Sequence, residues 1–359
     1  MTPAGENVRG QRPRLQHRKD DAGGLPKRLR SAERGFENSS RSLGRWPRHE
    51  IILLMKLLVF LVAWIGATSV TLSADSASEL RERKVNVGEG VSLRIIEAGQ
   101  AGSTLVFVPG WSTGADIWRR QVDAFSKTHR VIAIDPRSQG ESTKTTTGNT
   151  PETRAQDLHT LLERVGVRHA VLIGWSQGVQ DVAAYVERYG TKDLAGIVLV
   201  DAAVSDGADG MATRPQQTAE QFKMFAVYQT HQQEFLRGMM KAIISKPQPD
   251  GAIDRLVSTG MKTPPDTGVA MLVADMFGVD RTPALKKIEC PALVIASAKS
   301  FELSRQQAGA SQIPHARFEK IEDAAHAVFL DQPERFDELV EEFLKELPTT
   351  SPDITNSTG

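Results

Sequence analysis

The chain has 359 residues, with 44 basic and 44 acidic side chains and 40% hydrophobic content. That length carries one large domain or two small ones, and zero net charge leaves no electrostatic footprint for a nucleic-acid partner. Cys290 is the only cysteine, which excludes an internal disulfide and an all-cysteine metal site.

In chain order, residues 1–54 come first, with ten arginines and two lysines among the first 50 and no period of 2 or 3.6. Such a stretch is expected to be a disordered basic segment, and no regular aromatic interleaving points to nucleic acid. Residues 55–74 follow secretory grammar: Met55-Lys56, an apolar core from Leu57 to Ala67, then Thr71-Leu72-Ser73-Ala74. Met55 is expected to be the true initiator, with 1–54 an over-extended, untranslated frame, and cleavage is expected near Ala74. The alternative is an uncleaved N-terminal anchor, because 57–73 nearly matches a bilayer span. Both readings make the protein exported, periplasmic or secreted.

From about residue 83 strand and helix patterns alternate. Residues 85–87 and 91–96 read as a hairpin around Gly88-Glu89-Gly90. Residues 104–108 and 131–134 are apolar strands, with a helix over 116–125 between them. A helix over 151–165 starts at Thr150 as N-cap. Residues 170–173 and 197–200 are further strands. After Ala203 the strand signal stops, and helices are expected near 218–228, 232–244, 251–258 and 267–277. Seven of the nine methionines fall in this stretch, either as an adaptable pocket wall or as gap-fillers in a core. Strand and helix then resume at 292–295, 303–310, 318–321 and 333–347. The pattern predicts an α/β fold: a doubly wound, mostly parallel sheet over 83–348, with a helical cap at about 204–289 inserted between late strands. Residues 349–359 read as a flexible tail.

Gly174-Trp175-Ser176-Gln177-Gly178 joins an apolar strand to a helix, the grammar of a nucleophile elbow. The glycines are needed where side chains would strike the neighbouring strand and helix. Ser176 requires a base, and His326 lies between the last strand and the last helix, at the same edge of the sheet. An oxyanion hole needs two backbone donors. Gln177 supplies one, at the start of the helix, and Trp111 in Pro109-Gly110-Trp111-Ser112 the other. Asp135 and Arg137 are expected to form a buried structural pair beside the site.

These motifs, with the run Asp135-Pro136-Arg137-Ser138-Gln139-Gly140-Glu141-Ser142 and the block from Asp323 to His326 that continues into Pro333-Glu334-Arg335-Phe336, resemble the α/β-hydrolase superfamily, in its esterase, non-haem haloperoxidase-like and lactonase group. The likeness spans about residues 85–347. Pro109-Gly110-Trp111 stands where relatives usually carry His-Gly. The resemblance implies a serine hydrolase cleaving small to medium carboxylic esters or lactones through an acyl-enzyme, with perhydrolysis as a side reaction and no cofactor or metal. A small-molecule ester-like substrate is then the partner. Relatives usually place an acid after the strand that is 292–295 here, but this chain has Ser300 or a neighbour there. The acid is then Asp201, at the end of 197–200 as in some haloalkane dehalogenases, with Glu302 and Asp206 as the alternatives. Hydrolysis of a C–C or amide bond on the same residues, or a silent ligand-binding role, are the competing functions. Sequencing the N-terminus of natively expressed protein is expected to return a start just after Ala74; a mature chain that retains 1–54 overturns the initiator at Met55.

Overall fold

The computed structural model describes residues 80–348; the segments 1–54 and 55–74 and the tail 349–359 lie outside the described residues. Eight strands form one sheet: β1 (Arg81–Gly88), β2 (Val91–Ala98), β3 (Thr104–Val108), β4 (Arg130–Ile134), β5 (Ala170–Trp175), β6 (Leu194–Val200), β7 (Ala292–Ser297) and β8 (Ala316–Ile321). Their order is β1-β2-β4-β3-β5-β6-β7-β8. The β1–β2 and β2–β4 pairs are antiparallel, and every pair from β4 to β8 is parallel. Parallel strands covered on both faces need apolar side chains on both. In β3, Leu105 and Phe107 accordingly enter one core while Val106 and Val108 enter the other.

A 3-10 turn (Ala115–Trp118) leads into α1 (Arg119–Phe125), where the sequence pattern suggested one helix. Trp118, the last residue of that turn, is fully buried and stacks on Phe329 at 3.9 Å. The helix α2 (Pro151–Arg164) begins at Thr150, whose hydroxyl accepts from the Thr153 N–H at 3.4 Å, and Pro151 at its first position forfeits no internal bond. The elbow helix is α3 (Gln177–Tyr189). Between β6 and β7 lie α4 (Gly207–Ala212), α5 (Pro215–Thr230), α6 (Gln232–Ile243), α7 (Ala252–Gly260), α8 (Pro265–Phe277) and the short α9 (Thr282–Leu285). Then come α10 (Leu303–Ala310), α11 (Val328–Asp331) and α12 (Pro333–Glu346). Helix α12 buries Phe336, Leu339, Val340, Phe343 and Leu344, the i, i+3, i+4, i+7, i+8 stripe of a helix lying on a sheet. Three short helices, α4, α9 and α11, have no counterpart in the sequence reading because none is long enough to show a period.

The inserted helices are part of the core as well as a cover. Tyr228, Leu236, Met240 and Met271 are fully buried in the same cluster as the sheet residues Val198 and Ile295. The methionines therefore divide: Met240 and Met271 fill the core, while Met211 and Met276 face a pocket.

The expected Asp135–Arg137 pair does not form. Arg137 makes a two-pronged bond to Asp157 on α2, with both N···O distances 2.6 Å. Asp135 instead accepts the backbone N–H groups of Ala115 (2.6 Å) and Glu141 (2.7 Å) and faces Arg94 at 3.4 Å. Asp135 thus ties its own loop to the turn after β3, and Arg137 fastens that loop to α2. A double-mutant cycle is expected to give a coupling of about 0.5–3 kcal/mol for Arg137 with Asp157. The cycle for Arg137 with Asp135, read from urea midpoints, is expected to give a much smaller one.

Candidate active site

Parallel register brings four chain exits to one edge. Val108 pairs with Gly174, Trp175 with Val200, and Val200 with Ile295. The segments that leave β3, β5, β6 and β7 therefore emerge side by side, at the edge where such sheets bind ligands.

Ser176 lies between the last residue of β5 and the first of α3, at φ +56° and ψ −119°. A non-glycine residue there stores about 1–3 kcal/mol of strain. Its N–H bonds the carbonyl of Val200 at 3.1 Å, and its own carbonyl accepts from Val179 at 3.0 Å. The flanking glycines leave no room for a side chain. A Cβ on Gly174 would sit 2.5 Å from the Gly178 carbonyl oxygen, and one on Gly178 would sit 2.5 Å from that of Val108. A Cβ on Gly110 would come within 3.0 Å of the Ser176 Cβ, so the loop after β3 lies directly against the serine.

Asp201 follows β6, also at positive φ (+45°), and is buried. Its Oδ2 lies 2.8 Å from Nδ1 of His326. Its Oδ1 accepts from the Ser297 N–H at 2.9 Å and from Gln306 Nε2 at 3.2 Å. His326 is set from several sides. Its carbonyl accepts the Trp175 indole N–H at 3.0 Å, and the two rings are 5.1 Å apart. Ala327 N–H bonds the Ile243 carbonyl at 2.8 Å. The carboxylate of Asp331 takes the N–H groups of Ala325 (2.7 Å), Ser245 and Lys246 (both 2.9 Å), joining the histidine loop to the end of α6.

The alternative acids are engaged elsewhere. Glu302 accepts from the Ala203 N–H at 3.3 Å and pairs with Arg305, and burial pushes its carboxyl up. Asp206 holds Arg214 through two bonds of 2.7 Å. Ser300 accepts from Gln306 at 2.8 Å, and Gln306 in turn reaches Asp201. Ser300 therefore helps, through Gln306, to hold the carboxylate that faces His326.

Trp111 and Gln177 flank Ser176. As the first residue of α3, Gln177 has a backbone N–H with no acceptor inside the helix. Its side chain accepts from Gln139 at 3.2 Å and donates to Asp275. The Trp111 indole donates to the Gly268 carbonyl at 2.8 Å and lies 4.5 Å from the Tyr228 ring. A pocket of about 150 Å³ opens over Ser176, and its lining mixes apolar Met211, Leu272, Met276 and Phe301 with polar residues such as Glu302 and Arg305. Among the described residues no group of three or more His, Cys, Asp or Glu side chains is placed to hold a metal ion.

The sequence reading missed a buried charge cluster behind the elbow. Arg154 reaches Asp181 on α3 at 2.8 Å and Asp275 on α8 at 2.6 Å, and all three are buried. The one available signal was Asp181 standing, with Gln177 and Gln180, on the first turns of a helix whose centre is apolar. Burial pushes the Asp181 carboxyl up to about 7, with the Arg154 charge opposing it and Asp275 adding to it. Arg281 also faces it and pulls it down.

The alpha/beta hydrolase family matches residues 105–339, more than half of the chain, and the protein belongs to that family. Non-heme chloroperoxidase CPO-A1 of Kitasatospora aureofaciens is 29% identical over 274 residues, covering 71% of this chain and 97% of its own. The bifunctional esterase/perhydrolase DCH of Acinetobacter calcoaceticus is 34% identical over 120 residues, 33% of this chain and 44% of its own. Among solved structures, a thermophilic esterase from Thermogutta terrifontis superposes with a TM-score of 0.63 at 24% identity, covering 74% of this chain and 98% of that one. A bromoperoxidase from Bacillus anthracis gives 0.66 at 22% identity, covering 74% and 100%. At these identities the two structures speak for the fold.

The Asp181 carboxyl holds its proton more tightly folded than unfolded, where its value is about 3.9. Its contribution to stability is therefore full below about pH 4 and is lost as pH rises through about 7. Asp181→Asn, which cannot ionise, is expected to gain stability relative to the wild type between pH 4 and 8. Urea midpoints at stepped pH check this; a wild-type-to-variant difference that stays constant across the range overturns it.

Proposed function

We propose that the protein is a serine hydrolase that cleaves small to medium carboxylic esters or lactones through an acyl-enzyme. The observation that carries the reading is the 2.8 Å bond from His326 Nδ1 to the buried Asp201, beside a serine held in an elbow turn. An imidazole whose Nδ1 proton is fixed on a carboxylate presents Nε2 as the base. In the proposed reaction Ser176 Oγ attacks the carbonyl carbon and His326 Nε2 takes the hydroxyl proton. Asp201 stabilises the imidazolium without taking that proton. The negative charge moves onto the carbonyl oxygen, which the backbone N–H groups of Trp111 and Gln177 receive. Collapse expels the alcohol, protonated by His326; water activated by the same imidazole then releases the acid. An aspartate in place of Ser176 would have pointed to dehalogenase or epoxide chemistry, and a serine supports acyl transfer. The pocket volume favours a small acyl group, and the esterase/perhydrolase named among the relatives is in keeping with the same intermediate.

The test is turnover of p-nitrophenyl esters and lactones, with fluorophosphonate labelling. Ser176→Ala is expected to abolish both. Asp201→Asn is expected to lower kcat by about 10³–10⁴, and Glu302→Gln by less than about tenfold. The reverse order for Asp201 and Glu302 moves the acid to Glu302. Wild-type protein that neither turns over nor labels is a silent binder.

A further inference from the structure

The helix α8 touches both residues whose backbone N–H groups face the proposed oxyanion. Near its start, the Gly268 carbonyl accepts the Trp111 indole N–H at 2.8 Å. Near its end, Asp275 accepts the side-chain amide of Gln177. Seven residues separate the two contacts, two helical turns or about 10.5 Å along one face. Leu272 falls between them on that face and lines the pocket over Ser176. Both contacts are buried, and each is braced from behind. Gly268 lies so close to Tyr228 that an added Cβ would stand 2.6 Å from its hydroxyl, and the Tyr228 ring in turn lies tilted against that of Trp111, 4.5 Å between centroids. Asp275 is held by Arg154, which is also bonded to Asp181 on the elbow helix.

We propose that α8 is a two-point clamp that sets the spacing and direction of the two oxyanion donors, with Gly268 and Asp275 as positioning residues. The inference rests on the serine-hydrolase reading and adds to it what aligns the donors. The loop after β3 and the start of α3 belong to different chain segments, and backbone hydrogen-bond donors stabilise an oxyanion only when both point at one place. One rigid helix bonded to each segment's side chain fixes that convergence. It also makes catalysis depend on how the cap is seated: a substrate that lifts α8 loosens both donors together.

Two substitutions remove a clamp bond and leave the backbone N–H groups in place: Trp111→Phe and Gln177→Met. A third, Gly268→Ala, pushes α8 off Tyr228 and replaces no side chain that lines the pocket. Each is expected to lower kcat on a p-nitrophenyl ester by about ten- to a hundredfold with KM changed less than about threefold. Affinity for a trifluoromethyl ketone, which forms the tetrahedral adduct on Ser176, is expected to fall by the same factor. Affinity for the product carboxylate should hold. Leu272→Ala, which widens the pocket but breaks neither bond, is expected to move KM and leave the ketone-to-carboxylate affinity ratio unchanged. Thermal melts that match the wild type within a few degrees separate these losses from unfolding. Gln177→Met and Gly268→Ala variants that fold normally and keep the wild-type ratio overturn the clamp alone. A wild type without turnover overturns the hydrolase reading and the clamp with it.

Discussion

Ser176 is held in a backbone conformation that its own side chain disfavours, and the arrangement around β5 is built to keep it there. The strain of about 1–3 kcal/mol is offset by a bond from its N–H to Val200 on one neighbouring strand and by close packing against Gly110 at the end of the other. The parallel register does the rest. With Gly174 beside Val108 and Trp175 beside Val200, the loop with Trp111 and the turn with Asp201 must leave the sheet on either side of the serine. One local constraint thereby decides which chain segments can share its chemistry.

Charge burial is the second theme. Arg94, Arg137 and Arg154 all lie inside, each against one or more carboxylates. Such pairs add little net stability compared with apolar side chains of the same size, yet losing one partner is costly because the other is left unpaired. They tolerate few other arrangements. Arg137 fixes the loop beside the site to α2, and Arg154 joins α2, α3 and α8 at a single point.

Much of the architecture was legible in the sequence because strands buried on both faces and helices with one apolar stripe leave clear periods. The residues brought together around Ser176 were legible for a different reason. The elbow is a local turn with steric demands of its own, and Asp201 and His326 sit at the ends of strands that the periods locate. The buried cluster left no such trace: Asp181 lies 27 positions from Arg154, and Asp275 lies 121. Nothing in a linear pattern pairs them. The expected Asp135–Arg137 pair failed because nearness along the chain was read as contact. Asp135 takes backbone donors from its own loop and from the turn after β3, whereas the long guanidinium of Arg137 reaches outward to another helix.

The place of Asp201 also bears on the order in which the site assembles. Its strand follows that of Ser176 with only α3 between them, so the pair belongs to a strand-helix-strand unit that closes over a short loop. His326 arrives 125 positions after Asp201, beyond the cap and two further strands. Contacts between distant segments form late because their loop entropy is lost before any bond repays it. On this ordering a partly folded chain carries the serine and the carboxylate without the histidine, and under the proposed reading turnover waits until the last strands dock.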